Sequence, residues 1–152
     1  MVAAPHELDL AKCDFVLTTC VCLNLRKAAR AVTQVFDNAL QPLGLRSTQL
    51  PVLVTLALSG SMTISQLAEE LVMDRTSLTR LLRPLESAGL LEIVAGEDRR
   101  TRVVSLTDRG KETVADAFPL WEKAQGYVLE RLGRRRWHDM RENLSATVSL
   151  VQ

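Results

Sequence analysis

Residues 63–109, TISQLAEELVMDRTSLTRLLRPLESAGLLEIVAGEDRRTRVVSLTDR, constrain the fold more than any other stretch of the chain. They read as helix, tight turn, second helix, strand, arginine-rich loop, strand. Thr63 and Gln66 stand three apart, the spacing of a capping box, and Ser61 is an alternative cap. Ile64, Leu67, Ala68 and Leu71 recur at helical spacing, and Met73 is the apolar residue of the turn. Asp74 suits the N-cap of the second helix, because its carboxylate accepts from unpaired first-turn amides. Leu78, Leu81, Leu82 and Leu85 form that helix's buried stripe. Pro84 removes one helical hydrogen bond and is expected to bend the helix. Gly89 is a natural residue to follow its last turn. Leu90–Val94 and Arg102–Leu106 then read as two short strands, joined by Gly96-Glu97-Asp98-Arg99-Arg100.

Charge gives this scaffold a direction. From Arg75 to Arg102 there are six arginines against four acids, Glu86, Glu92, Glu97 and Asp98. The arginines concentrate on one helix face and at the hairpin tip. The whole-chain charge of +1 hides this, and binding a polyanion needs a local footprint rather than a global one. Arg75, Thr76, Ser77, Thr79, Arg80 and Arg83 face away from the leucine stripe. They can donate to phosphates or read base edges in a major groove. A cationic hairpin carrying Asp98, Arg99, Arg100 and Arg102 can reach an adjacent minor groove. The expected partner is double-stranded DNA.

Leu67-Ala68-Glu69-Glu70-Leu71, Leu85-Glu86-Ser87-Ala88-Gly89-Leu90, and Asp98-Arg99-Arg100 followed by Val104-Ser105-Leu106-Thr107 together resemble the MarR (multiple-antibiotic-resistance regulator) family. The resemblance implies a mainly α fold with a small β-hairpin wing. That is a winged helix-turn-helix flanked by N- and C-terminal dimerisation helices. It implies that Arg100 enters the minor groove and that Asp98 holds the wing in shape by pairing with a nearby arginine. It also implies a transcriptional regulator, a repressor released from its operator by a small effector. An architectural DNA-binding protein without effector response is the alternative. Pro84 departs from the family's pattern.

The flanks fit a single domain over residues 1–152, with the reading module at about 48–106 and dimerisation helices at about 12–41 and 108–152. The first helix is expected from Lys12 to Gln41, ended by Pro42 and Gly44. Val21, Leu25, Ala28, Val32, Val35 and Ala39 form its stripe, widened by Cys22, Ala29 and Phe36. A second helix is expected over Thr48–Leu58, with Pro51 in its first turn. Thr107 caps a long helix to about Leu132, with Val114, Phe118, Trp121, Val128 and Leu132 on one face and Pro119 as a kink. Gly133 breaks it, and a last helix follows from Arg134. Arg134-Arg135-Arg136 reads as a solvated cap. These apolar faces exceed what a compact winged module needs, and a homodimer on an inverted-repeat operator uses them.

Cys13, Cys20 and Cys22 fall together in the first helix. On a continuous helix, Cys13 and Cys20 are about 10 Å apart and Cys20 and Cys22 point nearly oppositely, so neither pair closes within one helix. The functional reading is a thiol sensor for oxidants, electrophiles or a soft metal or metalloid. The bland one is small apolar packing residues. A small aromatic acid is the other effector class that the resemblance implies, with Arg26 and Arg30 as candidate carboxylate partners.

An enzyme is not expected. The seven glycines are scattered, no phosphate-binding loop appears, and His6 and His138 are the two histidines. No cofactor and no metal site are expected. No apolar run reaches the roughly 18 residues of a membrane span. Phe15–Leu25 fails as a secretion signal: Glu7, Asp9 and Asp14 precede it, polar residues interrupt it, and Arg26-Lys27 follow. The expected location is cytoplasmic.

Overall fold

The computed structural model of the chain describes residues 8–98 and 100–151. It divides into two compact units, with the boundary between Gln34 and Val35.

Two helices stand where one was expected, the second running from the N-terminal unit into the larger one. The helix read as Lys12–Gln41 is α1 (Leu10–Thr19) and α2 (Val21–Leu40), interrupted at Cys20. Cys20 has ψ of 115°, outside the helical range. Asn24 holds the corner. Its side-chain amide donates to the carbonyls of Thr18 (3.2 Å) and Cys20 (2.9 Å). Thr18 and Thr19 also turn their hydroxyls back onto the carbonyl of Phe15. Ser, Thr and Asn side chains compete with the helical ladder in this way, and three of them cluster at this break. A Cys20–Cys22 bond is ruled out only on a continuous helix, and the helix is not continuous here. α1 buries none of its side chains, and Val21 and Leu25 in α2 are also exposed.

In the larger unit the end of α2 buries Phe36 and Leu40. A short 3-10 turn, Gln41–Leu43, carries Pro42, and Gly44 follows at φ 67°. Asp37 accepts from the Ser47 backbone N–H at 2.6 Å, fixing the approach to the next helix. That hydrogen bond holds the Asp37 carboxyl below the usual carboxylate range. α3 (Leu50–Ser59) starts two residues later than expected, with Pro51 in its first turn.

Gly60 ends α3 at φ 78°, and the chain turns into a strand that the sequence did not announce, β1 (Ser61–Thr63). Three residues are too few for a periodic signal. β2 (Leu91–Ala95) and β3 (Arg102–Leu106) complete an antiparallel sheet of order β1-β3-β2. Ser61, Met62 and Thr63 pair with Ser105, Val104 and Val103, and Leu91 pairs with Leu106. The wing is therefore rooted on the helical core through its second strand rather than hanging from its two ends.

α4 (Ile64–Glu70) begins with the expected capping box of Thr63 and Gln66. α5 (Arg75–Ser87) begins at Asp74 and runs through Pro84. α6 (Asp108–Leu132) is capped by Thr107 and runs through Pro119. α7 (Arg134–Val151) follows Gly133 and buries none of its side chains. Within α6 the buried residues are Gly110, Val114, Ala117 and Ala124, while Phe118 and Trp121 of the expected apolar face are exposed in the single chain. The core gathers Leu53, Leu56, Leu67, Leu78, Leu82, Leu85, Leu91 and Val104, all essentially inaccessible. At about 2 kcal/mol for each fully buried aliphatic side chain, these hold the two motif helices and the sheet as one piece.

Candidate nucleic-acid interface

The buried stripe of α5 decides which side chains face outward. Leu78, Leu82 and Leu85 enter the core at helical spacing. Arg75, Thr76, Thr79, Arg80 and Arg83 then line one open concavity of about 400 Å³. Five of the six candidate contact residues on this helix are thus brought together by the geometry. The sixth, Ser77, is exposed but serves the cap, its backbone N–H donating to Asp74 at 2.9 Å. The Ser77 hydroxyl and that N–H hold the Asp74 carboxyl below its ordinary range, so the cap stays ionised. Thr79 donates its hydroxyl proton to the Arg75 carbonyl at 2.7 Å, which leaves its oxygen as an acceptor and its methyl as an apolar surface.

The arginines are available. Among the described residues, none of Arg75, Arg80, Arg83, Arg100 and Arg102 forms an ion pair. An unpaired, exposed guanidinium keeps all five donors free for phosphate or a guanine edge.

Asp98 shapes the wing tip through backbone contacts. Its carboxylate accepts from the Arg100 backbone N–H at 3.0 Å, and among the described residues it meets no guanidinium. Its carbonyl accepts from the Thr101 N–H (2.8 Å) and hydroxyl (2.7 Å). The Gly96 N–H then donates to the Thr101 carbonyl at 3.1 Å, closing the hairpin. An aspartate fits because a short carboxylate can reach the amide two residues on, as in an Asx turn. Arg100 is left exposed at the tip and Arg102 is exposed on β3. Arg99 lies outside the described residues.

Thr107 and Gly110 are structural determinants of this surface that sequence reading underrated. Thr107 donates its hydroxyl to the Gly89 carbonyl (2.7 Å) and accepts from the Gly110 N–H (3.0 Å), while its own N–H donates to the Leu90 carbonyl (3.2 Å). One threonine thus clasps the end of α5, the root of the wing and the start of α6. The Thr107 cap was legible; its grip on residues 89 and 90 was not, because that hydrogen bond spans 18 positions.

The cysteines lie away from this surface in sequence, on the N-terminal unit. Cys13 and Cys22 are exposed and Cys20 is half-buried; all three are free thiols.

Comparison with known proteins agrees with the geometry. The family model for the MarR family matches residues 45–101, the stretch from α3 to the wing tip. The DNA complex of the transcriptional regulator MosR of M. tuberculosis is similar at 34% identity and a TM-score of 0.76, covering 88% of this chain and 98% of that one. The organic hydroperoxide resistance transcriptional regulator of Bacillus subtilis (strain 168) is 26% identical, over 87% of each chain. The HTH-type transcriptional regulator YwoH of the same organism is 31% identical over 88 residues, which span 58% of this chain and 64% of YwoH. With the capped two-helix motif, the wing and the arginine face all in place, the chain belongs to the MarR family of winged helix-turn-helix transcriptional regulators.

Proposed function

We propose that the chain is a cytoplasmic repressor that binds an inverted-repeat operator as a homodimer and has no enzymatic role. The observation that carries this is the face of α5, where Arg75, Arg80 and Arg83 share one concavity without an acid partner among the described residues. The wing adds Arg100 at a tip fixed by Asp98. MosR has been crystallised on DNA, which supports the same partner here. Dimerisation is supported by the apolar side chains left exposed at both ends of the chain: Phe15, Val16, Leu17 and Val21 in one unit, Val148, Leu150 and Val151 in the other. So many exposed aliphatic groups on a chain without a membrane-crossing helix among its described residues fit an isologous interface.

The test is quantitative. Arg100→Ala is expected to leave the protein folded and to weaken DNA binding. The logarithmic salt slope should flatten by about 0.9 for each phosphate that is no longer neutralised. Unchanged affinity and slope would remove Arg100 from the interface. Binding that is equally tight on unrelated duplexes would favour an architectural protein instead.

The effector reading is an oxidant or electrophile acting on Cys13, Cys20 and Cys22. It is supported by the exposure of two of these thiols, by the helix break at the third, and by the hydroperoxide-resistance role in the name of one relative. A hydroperoxide would convert a thiolate to a sulfenic acid and leave as an alcohol. A second thiol would then close a disulfide with loss of water. Replacing all three cysteines with serine is expected to leave operator binding intact and to abolish its loss under organic hydroperoxide. If the triple variant still releases DNA, the cysteines are packing residues.

A small aromatic acid is the second reading. A separate cleft of about 440 Å³ favours it, apolar on Val35, Ala39, Pro42 and Leu120 and polar at Lys123 and Tyr127.

A further inference from the structure

Three helical segments of this chain end in the same way. After the turn at Gln41–Leu43, the Gly44 N–H donates to Gln41 and the Leu45 N–H to Leu40. After α5, the Gly89 N–H donates to Glu86 and the Leu90 N–H to Leu85. After α4, the Val72 N–H donates to Glu69 (3.1 Å) and the Met73 N–H to Ala68 (2.8 Å). Each is the paired hydrogen-bond pattern whose pivot residue must take positive φ, the reason glycine is favoured there. The first two use Gly44 and Gly89, at 67° and 70°. The third uses valine. Val72 is the one positive-φ residue other than glycine among the described residues, at 55°.

A β-branched side chain is a poor choice for this conformation. Val72 does not recover the strain by burial within the chain, because it is 51% exposed. Its place suggests where the side chain is used. Two residues on is Asp74, the cap of α5, and three on is Arg75, the first residue of the arginine face. Three residues of chain reach at most about 10 Å. In helix-turn-helix docking the N-terminal end of the second helix approaches the base edges, which puts the preceding turn at the mouth of the groove. The Val72 N–H is already bonded to Glu69, so what this residue offers DNA is an isopropyl group. The one apolar group on a major-groove edge is the C5-methyl of thymine.

We infer that Val72 is a specificity residue, held in a strained turn so that its side chain packs against a thymine methyl in each half-site. The inference rests on the DNA-reading function proposed above.

Uracil in place of thymine removes that methyl and nothing else. The full-length wild type is used to select a palindromic duplex from a randomised library. Each symmetric pair of thymines in it is then replaced by uracil in turn. The wild type should weaken at one pair, by about fourfold per half-site, the worth of one buried methyl-sized group. Val72→Gly and Val72→Asn should both be indifferent at that pair while matching the wild type at every other. Val72→Gly should also melt about 2–4 °C higher, since glycine relieves the strain. A structural residue would not show higher stability together with lost discrimination. The inference is overturned if no thymine pair matters to the wild type, if both variants keep the wild-type thymine preference, or if Val72→Gly melts lower. A wild type that selects no duplex at all would overturn the DNA-reading function itself.

Discussion

Gly110→Ala should destabilise the protein by about 2 kcal/mol, although local propensity favours the substitution. Alanine is the better helix former by about 1 kcal/mol, and Gly110 lies in the first turn of a 25-residue helix. Packing outweighs this. A Cβ at position 110 would collide with the carbonyl of Leu90 and crowd a Leu106 methyl at 3.2 Å. The carbonyl is backbone, and it also accepts the Thr107 N–H. It cannot move without opening the clasp that joins α5, the wing and α6. Overpacking of this kind costs about 1–3 kcal/mol, and losing the hydrogen bond adds about 1 kcal/mol. The melting temperature should fall by about 4–8 °C on a chain of this size. Gly126→Ala supplies the contrast in the same helix. Nothing lies within 4 Å of its added methyl, so propensity acts alone and the melting temperature should rise by a few degrees. Two glycines in one helix thus carry opposite signs for one substitution. If thermal melts show both variants stabilised, α6 does not approach Leu90 as described.

That contrast also shows what sequence could and could not reveal. The reading helix was legible because its signals are local: Asp74 as cap, leucines at 78, 82 and 85, and Gly89 after the last turn all occur within α5 or at its ends. The capping box at Thr63 and the threonine cap at 107 were legible for the same reason. What stayed hidden depends on groups distant in sequence. β1 exists because Ser61–Thr63 meet Val103–Ser105 some forty residues away, and three residues carry no period of their own. Gly110 reads as a helix-weakening glycine until Leu90 is placed against it. The break at Cys20 is a middle case. Thr18, Thr19 and Asn24 can all divert hydrogen bonds from the helix, but no proline or glycine marks a stop there, so the helix expected from the apolar stripe that begins at Val21 extends back through them. Asp98 was legible as the residue that shapes the wing, but its bond to the Arg100 amide was not. A carboxylate beside several arginines suggests an ion pair, and composition does not point to the backbone amide two residues on.

Replacing Arg80 with alanine should change which sequences are bound more than how tightly DNA is bound in general. Arg80 sits in the middle of the outward face of α5, between Thr76 and Arg83, and no acid among the described residues engages it. A guanidinium there can pair two-pronged with the O6 and N7 of guanine. Its loss should relax preference at one guanine-bearing position by about 1–3 kcal/mol. In a two-fold complex the effect appears symmetrically, in half-sites whose centres are about 10 base pairs apart or a multiple of that. Arg83 lies nearer the C-terminal end of α5, so Arg83→Ala should weaken all duplexes alike and flatten the salt slope. The two variants are compared on the selected palindrome and on versions with one symmetric base pair changed, at several salt concentrations. Should Arg80→Ala lower affinity by the same factor on every duplex, Arg80 is a phosphate ligand. Base reading would then fall to Thr76, Thr79 and the turn that precedes them.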